Sequence, residues 1–103
     1  AYGESGGLQL ETMLAVINAS SGQSFATSQT FPKFVASGKF NSGCEAHIIE
    51  KDIRLFVQDA LRQGTDNTVI AKALERVADF VAEDRTQDQF RIYPFIKSSK
   101  PKS

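Results

Sequence analysis

Few side chains in this 103-residue sequence have the potential for chemistry, and three of them fall on one predicted helix. His47, Lys51 and Gln58 are spaced by about one and two helical turns, which places them on one polar face. A lysine in such a position is usually a solvated charge on an outer face. Its functional interpretation is a fixed cation directed at a carboxylate, a phosphate or a developing alkoxide in a cleft. The spacing alone leaves both interpretations of Lys51 open.

Other catalytic patterns are missing from the sequence. One histidine, His47, and one cysteine, Cys44, are too few for a metal site, which needs several ligands. A Cys–His nucleophile pair would also need an orienting group and an oxyanion site. The chain has no phosphate-binding glycine loop and no HExxH, CxxC or nucleophile-elbow motif. We therefore expect neither a metal site nor a Cys44–His47 dyad.

The elements that must position these side chains follow from apolar spacing. Residues recurring at i, i+3, i+4 and i+7 predict helices over about Gln9–Asn18, Glu45–Gln63 and Thr68–Glu83. Gly64 is expected to close the second of them in a left-handed cap, and Asp66-Asn67 to supply capping oxygens for the third. The predicted buried stripe of the long helix comprises Ala46, Ile49, Ile53, Phe56 and Ala60, widened by Ile48, Val57 and Leu61.

The segment from Ser24 to Phe40 is aromatic and weakly periodic. Ser24 is predicted to cap a short helix that Pro32 breaks, and a second short helix is predicted over Pro32–Ser37, ended by Gly38. Irregularly spaced aromatics mostly fill gaps between helices, so we expect core packing rather than a ligand cage for Phe25, Phe31, Phe34 and Phe40.

The end of the chain is less regular. The segment Arg91–Ile96 is apolar and contains Pro94, which predicts an extended or short helical end. No stretch offers several alternating strands, so the expected class is all-α, a small helical bundle. Residues 1–96 are predicted to form one domain, and residues 97–103, which carry three lysines, a disordered basic tail.

Composition limits the partners. Twelve basic and twelve acidic residues give a net charge of zero, so the chain has no overall field to attract nucleic acid or an anionic membrane. No apolar run approaches the roughly 20 residues that a bilayer requires. Cys44 is the only cysteine, which excludes an intrachain disulfide and indicates a reducing, cytoplasmic location. We therefore expect no nucleic-acid and no membrane partner.

Four stretches, in this order, resemble the C-terminal domain of the β-hydroxyacid dehydrogenases, the family of 3-hydroxyisobutyrate dehydrogenase and tartronate semialdehyde reductase. Their relatives include 6-phosphogluconate dehydrogenase. The stretches are AYGESGGLQLETMLAVINASSGQS (1–24), FPKFVASGKFNSG (31–43), EKDIRL (50–55) and RTQDQF (85–90). The resemblance extends from Ala1 to about Ile96, and the ordered set is more specific than any one member.

The resemblance implies a function. In this family an N-terminal Rossmann domain binds NAD or NADP, and a helical domain closes over the cleft in which hydride passes between nicotinamide and a small hydroxyacid. The family's catalytic lysine lies upstream of Ala1, so the resemblance implies no catalytic residue in this chain. It implies a cofactor-binding role for Lys51, a structural role for Asp52, and positions at the cleft mouth for Phe40 and Gly43.

The same resemblance implies the partners of the chain and its oligomeric state. We expect the chain to be a fragment that works with the Rossmann domain of the same protein, to act on a small hydroxyacid substrate and to be inactive alone. The full-length protein is expected to be a homo-oligomer.

Three positions depart from the family's pattern. Gln9 stands where an aspartate cap is frequent, which should cost helix stability by up to about 1 kcal/mol. Cys44 replaces a frequent Phe just ahead of Lys51, a change that bears on substrate choice more than on family membership. Asp66-Asn67-Thr68 replaces a common proline-containing turn.

An alternative from another class is a free-standing helical protein-interaction or dimerisation module. The aromatic connector and the lack of catalytic groups support it. An open reading frame beginning near Ala1 would favour the module, whereas one beginning about a domain earlier, with GxGxxG after its first strand, would favour the enzyme.

Overall fold

The computed structural model describes residues 1–101, and within that range the chain is helical without a β-strand. This confirms the predicted all-α class. Two compact units are formed, unit 1 by Ala1–Ser42 with the segment from Phe90 onward, and unit 2 by Gly43–Gln89. In chain order the elements are α1 (Tyr2–Ser5), α2 (Leu10–Asn18), a π-helix (Ala26–Ala36), α3 (Ala46–Gln63), α4 (Thr68–Glu83), a 3-10 turn (Gln89–Arg91) and α5 (Ile92–Ser98).

Unit 2 is a helical hairpin in which α3 packs against α4. The buried residues of α3 are alanines, Ala46 and Ala60, and those of α4 are the larger Val77, Phe80 and Val81. Phe80 is 2% exposed and is the largest fully buried side chain among the described residues. Small residues on one helix and large ones on the other allow close packing with few voids.

The ends of the two helices in unit 2 agree with the predicted signals. Gly64 has φ 73°, the left-handed conformation, and the next N–H, that of Thr65, donates to the Ala60 carbonyl at 2.9 Å. Asp66 Oδ1 accepts from the Thr68 N–H at 2.9 Å and from its hydroxyl at 2.6 Å. Asn67 instead donates to the Val57 carbonyl at 3.2 Å, which ties the turn back to α3.

The predicted stripe of α3 is partly wrong. Ala46 and Ala60 are buried and Ile49, Ile53 and Val57 are half-buried, but Phe56 is 61% and Leu61 72% exposed. Within unit 2, α4 is the helix that packs against α3, and one helix shields a narrow band of a neighbour's surface. The apolar side chains of α3 that lie outside this band, Phe56 among them, therefore stay in solvent.

In unit 1, α2 begins at Leu10, one residue after the predicted start, and buries Leu14. Gln9 takes the N-cap position with extended backbone, and its side chain makes no capping hydrogen bond. The departure from an aspartate at this position is therefore visible in the structure as an uncapped helix start.

The predicted pair of short helices around Pro32 is wrong, because a single π-helix runs from Ala26 to Ala36 through the proline. Ser24 does cap it, since its hydroxyl accepts from the Thr27 N–H at 3.1 Å. In the i→i+5 hydrogen-bond pattern of a π-helix, the N–H of residue 32 would donate to the Thr27 carbonyl. Pro32 has no N–H, so this hydrogen bond is missing. The side chain of Asn18 replaces it, donating to that carbonyl at 3.1 Å.

Aromatic pairs hold α5 and the 3-10 turn in unit 1. Phe31 meets Tyr93 edge-on with ring centroids 5.2 Å apart, and Phe34 stacks on Phe90 at 5.3 Å. Phe31 and Phe34 thus pack between elements as expected, although both are only half-buried, whereas core packing is wrong for Phe25, which is 74% exposed.

The helical alternative for the end of the chain is confirmed. Pro94 lies in the first turn of α5, where no N–H is needed. The helix continues to Ser98, so Lys97 and Ser98 are helical where a disordered tail was expected. The expectation for residues 102 and 103 lies outside the described residues. Among residues 1–101, none of the helices combines the length and apolar character needed to cross a bilayer.

Candidate functional site

Lys51 lies in the second turn of α3 with its side chain 64% exposed. Its Nζ atom is 3.2 Å from the Oδ1 atom of the adjacent Asp52, which is itself 60% exposed. A pair between two exposed side chains contributes little stability and is easily exchanged for another partner. The ammonium group is therefore available to an anion on a molecule that approaches this face of α3.

The backbone fixes the start of α3, and with it the direction of Lys51. The N–H groups of Ala46 and His47 donate to the carbonyls of Gln87 and Arg85 at 2.8 and 3.1 Å. In return, the Gln89 N–H donates to the Cys44 carbonyl at 2.9 Å. These long-range bonds replace a side-chain cap, so the first N–H groups of α3 are already occupied and do not form an anion site.

His47 is paired within its own turn. Its Nε2 atom is 2.8 Å from the Glu45 carboxylate, and the ring is 32% exposed. Cys44 is half-buried and its Sγ lies 3.8 Å from the Glu45 carbonyl. The partner of the His47 imidazole is thus the Glu45 carboxylate rather than the Cys44 thiol.

Gln58, the third residue of the predicted polar face, lines a cavity of about 470 Å³ with Leu55, Asp59 and Arg62. Arg62 pairs with Asp59 across one turn. Leu55 is 57% exposed and lies one turn beyond Lys51, on the same side of α3. This face therefore combines charged side chains with an exposed leucine, a composition suited to contact with another polypeptide or a bound ligand.

Phe40 and Gly43, expected at a cleft mouth, both have left-handed backbones, with φ 46° and 82°. This conformation is free of strain for Gly43 and costly for Phe40. The Arg91 guanidinium lies 4.8 Å from the Phe40 ring centroid, and the Phe40 N–H donates to the Phe34 carbonyl at 2.9 Å. Phe40 belongs to unit 1 and Gly43 to unit 2.

A hydrogen-bond and ion-pair network in unit 1 is not predicted by the sequence analysis. The Tyr93 hydroxyl donates to the Glu4 carboxylate, whose other oxygen lies 3.2 Å from Lys97 Nζ. Desolvation, followed by the hydrogen bond to Glu4 and then the Glu4 charge, raises the pKa of Tyr93 to about 12. The Tyr93 hydrogen bond and then Lys97 lower the pKa of Glu4. The i,i+4 spacing of Tyr93 and Lys97 is the sequence signal for this network, and the prediction of a tail from residue 97 does not use it.

The described residues contain no group of three or more His, Cys, Asp or Glu side chains that could hold a metal ion. Residues 1–96 match the family model described as NAD-binding of NADP-dependent 3-hydroxyisobutyrate dehydrogenase. Searches of curated proteins and of solved structures gave no significant match.

Proposed function

Because the chain belongs to the family of the NAD-binding domain of NADP-dependent 3-hydroxyisobutyrate dehydrogenase, we propose that it is the helical domain covering the cofactor cleft of an NAD(P)-dependent β-hydroxyacid dehydrogenase. The Rossmann domain of the same protein supplies the main dinucleotide site, and a small hydroxyacid is the substrate. The full-length enzyme works as a homo-oligomer in the cytoplasm. Alone, this chain is inactive, since hydride transfer requires cofactor and substrate to be held together.

We assign Lys51 as the residue that contacts the cofactor. The observation that carries the assignment is the exposed ammonium on a rigidly positioned helix, in a chain whose match covers residues 1–96. When NAD or NADP is bound, nicotinamide accepts or donates the hydride, and Lys51 supplies positive charge to an anionic part of the dinucleotide. Release of Asp52 costs little because both side chains of the pair are exposed.

The assignment predicts a loss of affinity without a loss of stability. In the gene product that carries this chain with its dinucleotide-binding domain, Lys51→Ala should weaken cofactor binding about tenfold, equivalent to about 1.4 kcal/mol. Lys51→Arg should retain part of the affinity, because it keeps the charge with a different geometry. Fluorescence of the reduced nicotinamide measures binding, and absorbance of the same group measures turnover with 3-hydroxyisobutyrate.

A matched control is available on α4. Lys72 is 76% exposed in its side chain and pairs with Glu75 at 3.3 Å, so it resembles Lys51 in exposure and pairing. Lys72→Ala should change neither affinity nor turnover. Equal losses in the two variants, or an unfolding midpoint that falls in step with affinity, would contradict the role of Lys51.

A free-standing interaction module is the second candidate. Large apolar side chains that are more than half exposed support it, among them Leu8, Val16, Leu55, Phe56 and Leu61. The two candidates differ in what precedes Ala1 in the gene. An upstream strand followed by GxGxxG would favour the enzyme, and its absence would favour the interaction module.

A further inference from the structure

A second site lies in unit 1, apart from the α3 residues discussed above. A cavity of about 600 Å³ opens between α1, the start of α2, the end of the π-helix and α5. Its volume falls within the range of about 300–1,000 Å³ found for small-molecule sites. Apolar side chains form much of its wall, including Leu10, Val35, Phe40 and Pro94, and Val35 at only 6% exposure is part of the core.

The charged residues of the cavity are Glu4, Glu11 and Lys97. Lys97 is held by Glu4, and the Tyr93 hydroxyl donates to the same carboxylate, so these groups already satisfy one another. Glu11 has neither a hydrogen bond nor an ion pair among the described residues. Glu11 is exposed, so its carboxylate is solvated and open to a cationic ligand beside the apolar wall.

We propose that this cavity binds a small primary amine with an apolar ring or branched body. The body would contact the Val35, Phe40 and Pro94 wall, and the ammonium group would pair with Glu11. An anion is disfavoured, because among the described residues two carboxylates and one lysine line the cavity and that lysine is engaged by Glu4. A purely apolar ligand would gain nothing from the Glu11 charge, which water then continues to solvate. This site is independent of the dehydrogenase assignment and of Lys51.

Three probes with a common apolar body separate these possibilities: phenethylamine, 2-phenylethanol and phenylacetate. Each is titrated into the ¹⁵N-labelled 103-residue chain, and amide chemical shifts are followed. Phenethylamine should shift the amide resonances of residues 9–11, 35–36, 40, 93 and 95–97 with millimolar affinity. The alcohol should bind about fivefold more weakly, as expected for loss of a partly exposed ion pair, and phenylacetate more weakly still.

Two variants and one control locate the binding. Glu11→Gln should reduce the affinity for the amine to that for the alcohol. Glu83→Gln, which removes an exposed carboxylate of α4 outside the cavity, should leave it unchanged. Ala36→Leu fills part of the cavity and should abolish binding of both probes. Helical circular dichroism and the unfolding midpoint show in each case that the variant is folded.

Several results would overturn the proposal. These are shifts that miss the cavity residues at 20 mM amine, equal affinities for amine and alcohol, or equal losses in the Glu11 and Glu83 variants. Retained binding in a folded Ala36→Leu variant would do the same.

Discussion

At the scale of single residues, the hydrogen bond from Tyr93 to Glu4 joins side chains 89 positions apart. It is the largest cause of the lowered pKa of Glu4, ahead of Lys97. A carboxyl whose pKa is lower in the folded state than in the unfolded state binds fewer protons when folded. Its contribution to stability is therefore present above the ordinary value of 4.5 and is lost as the pH falls through the folded-state pKa.

We predict that Tyr93→Phe makes the free energy of unfolding depend less on pH in the acid range. Without the phenol, the pKa of Glu4 moves back toward its ordinary value. The variant should be less stable than the parent chain at neutral pH, and the two should converge in acid. Urea unfolding from about pH 2.5 to pH 7 measures this difference. Asp66 and Asp84, whose pKa values are also lowered, contribute to both chains alike and cancel in the comparison.

Tyr2 provides the control for this prediction, since it is 93% exposed. Tyr2→Phe should reproduce the parent profile at every pH. A constant offset between Tyr93→Phe and the parent across the whole acid range would show that the phenol acts by packing alone, independently of the Glu4 charge.

At the scale of elements, the π-helix depends on a residue outside it. Asn18, the last residue of α2, supplies the donor that Pro32 lacks, and its own Oδ1 is buried without a hydrogen-bond partner among the described atoms. Pro32, which was predicted to end a short helix, is thus accommodated within the wider π-helix. The side-chain amide of Asn18 supplies the donor that the proline lacks.

A double-mutant cycle tests this arrangement. Asn18→Ala should cost about 1–2 kcal/mol, because the Thr27 carbonyl loses its donor. Pro32→Ala restores an N–H to the ladder, so Asn18→Ala should cost less in that background, with a coupling of at least about 0.5 kcal/mol. Denaturant unfolding of the four proteins measures both quantities. Strict additivity would mean that Asn18 and Pro32 act independently.

At the scale of the whole molecule, each of the two units has a small core. Among residues 1–101, Leu14 and Val35 are the buried hydrophobic residues of unit 1, and unit 2 buries five more, namely Ala46, Ala60, Val77, Phe80 and Val81. A chain of this size buries a modest share of its surface, so its stability should lie toward the low end of the usual range of about 5–15 kcal/mol.

Phe80→Ala should therefore lower the free energy of unfolding severely. Removal of a phenyl ring that is 2% exposed typically costs about 3–5 kcal/mol, enough to leave much of the chain unfolded at 25 °C. Leu61→Ala, at a side chain 72% exposed, should change the free energy of unfolding by less than about 0.5 kcal/mol. Urea unfolding followed by circular dichroism measures both. A mild effect at Phe80 would mean that the α3–α4 core readily repacks.

The sequence alone determined the local features of this protein: α2, α3 and α4, the Gly64 cap and the Asp66 turn. These depend on residues within a few positions of one another, where helical periodicity and turn chemistry act directly. Together with the ordered motifs, they also determined the family, and they singled out Lys51, whose cofactor role stays a prediction.

The tertiary structure decided what depends on packing between remote segments. It alone left Phe56 exposed and Val57 half-buried, since the width of a buried stripe depends on what covers it. It also carried the helix through Pro32 and joined Glu4 to α5. The energy of such contacts is gained only when distant parts of the chain meet, and no local pattern of residue types encodes that meeting.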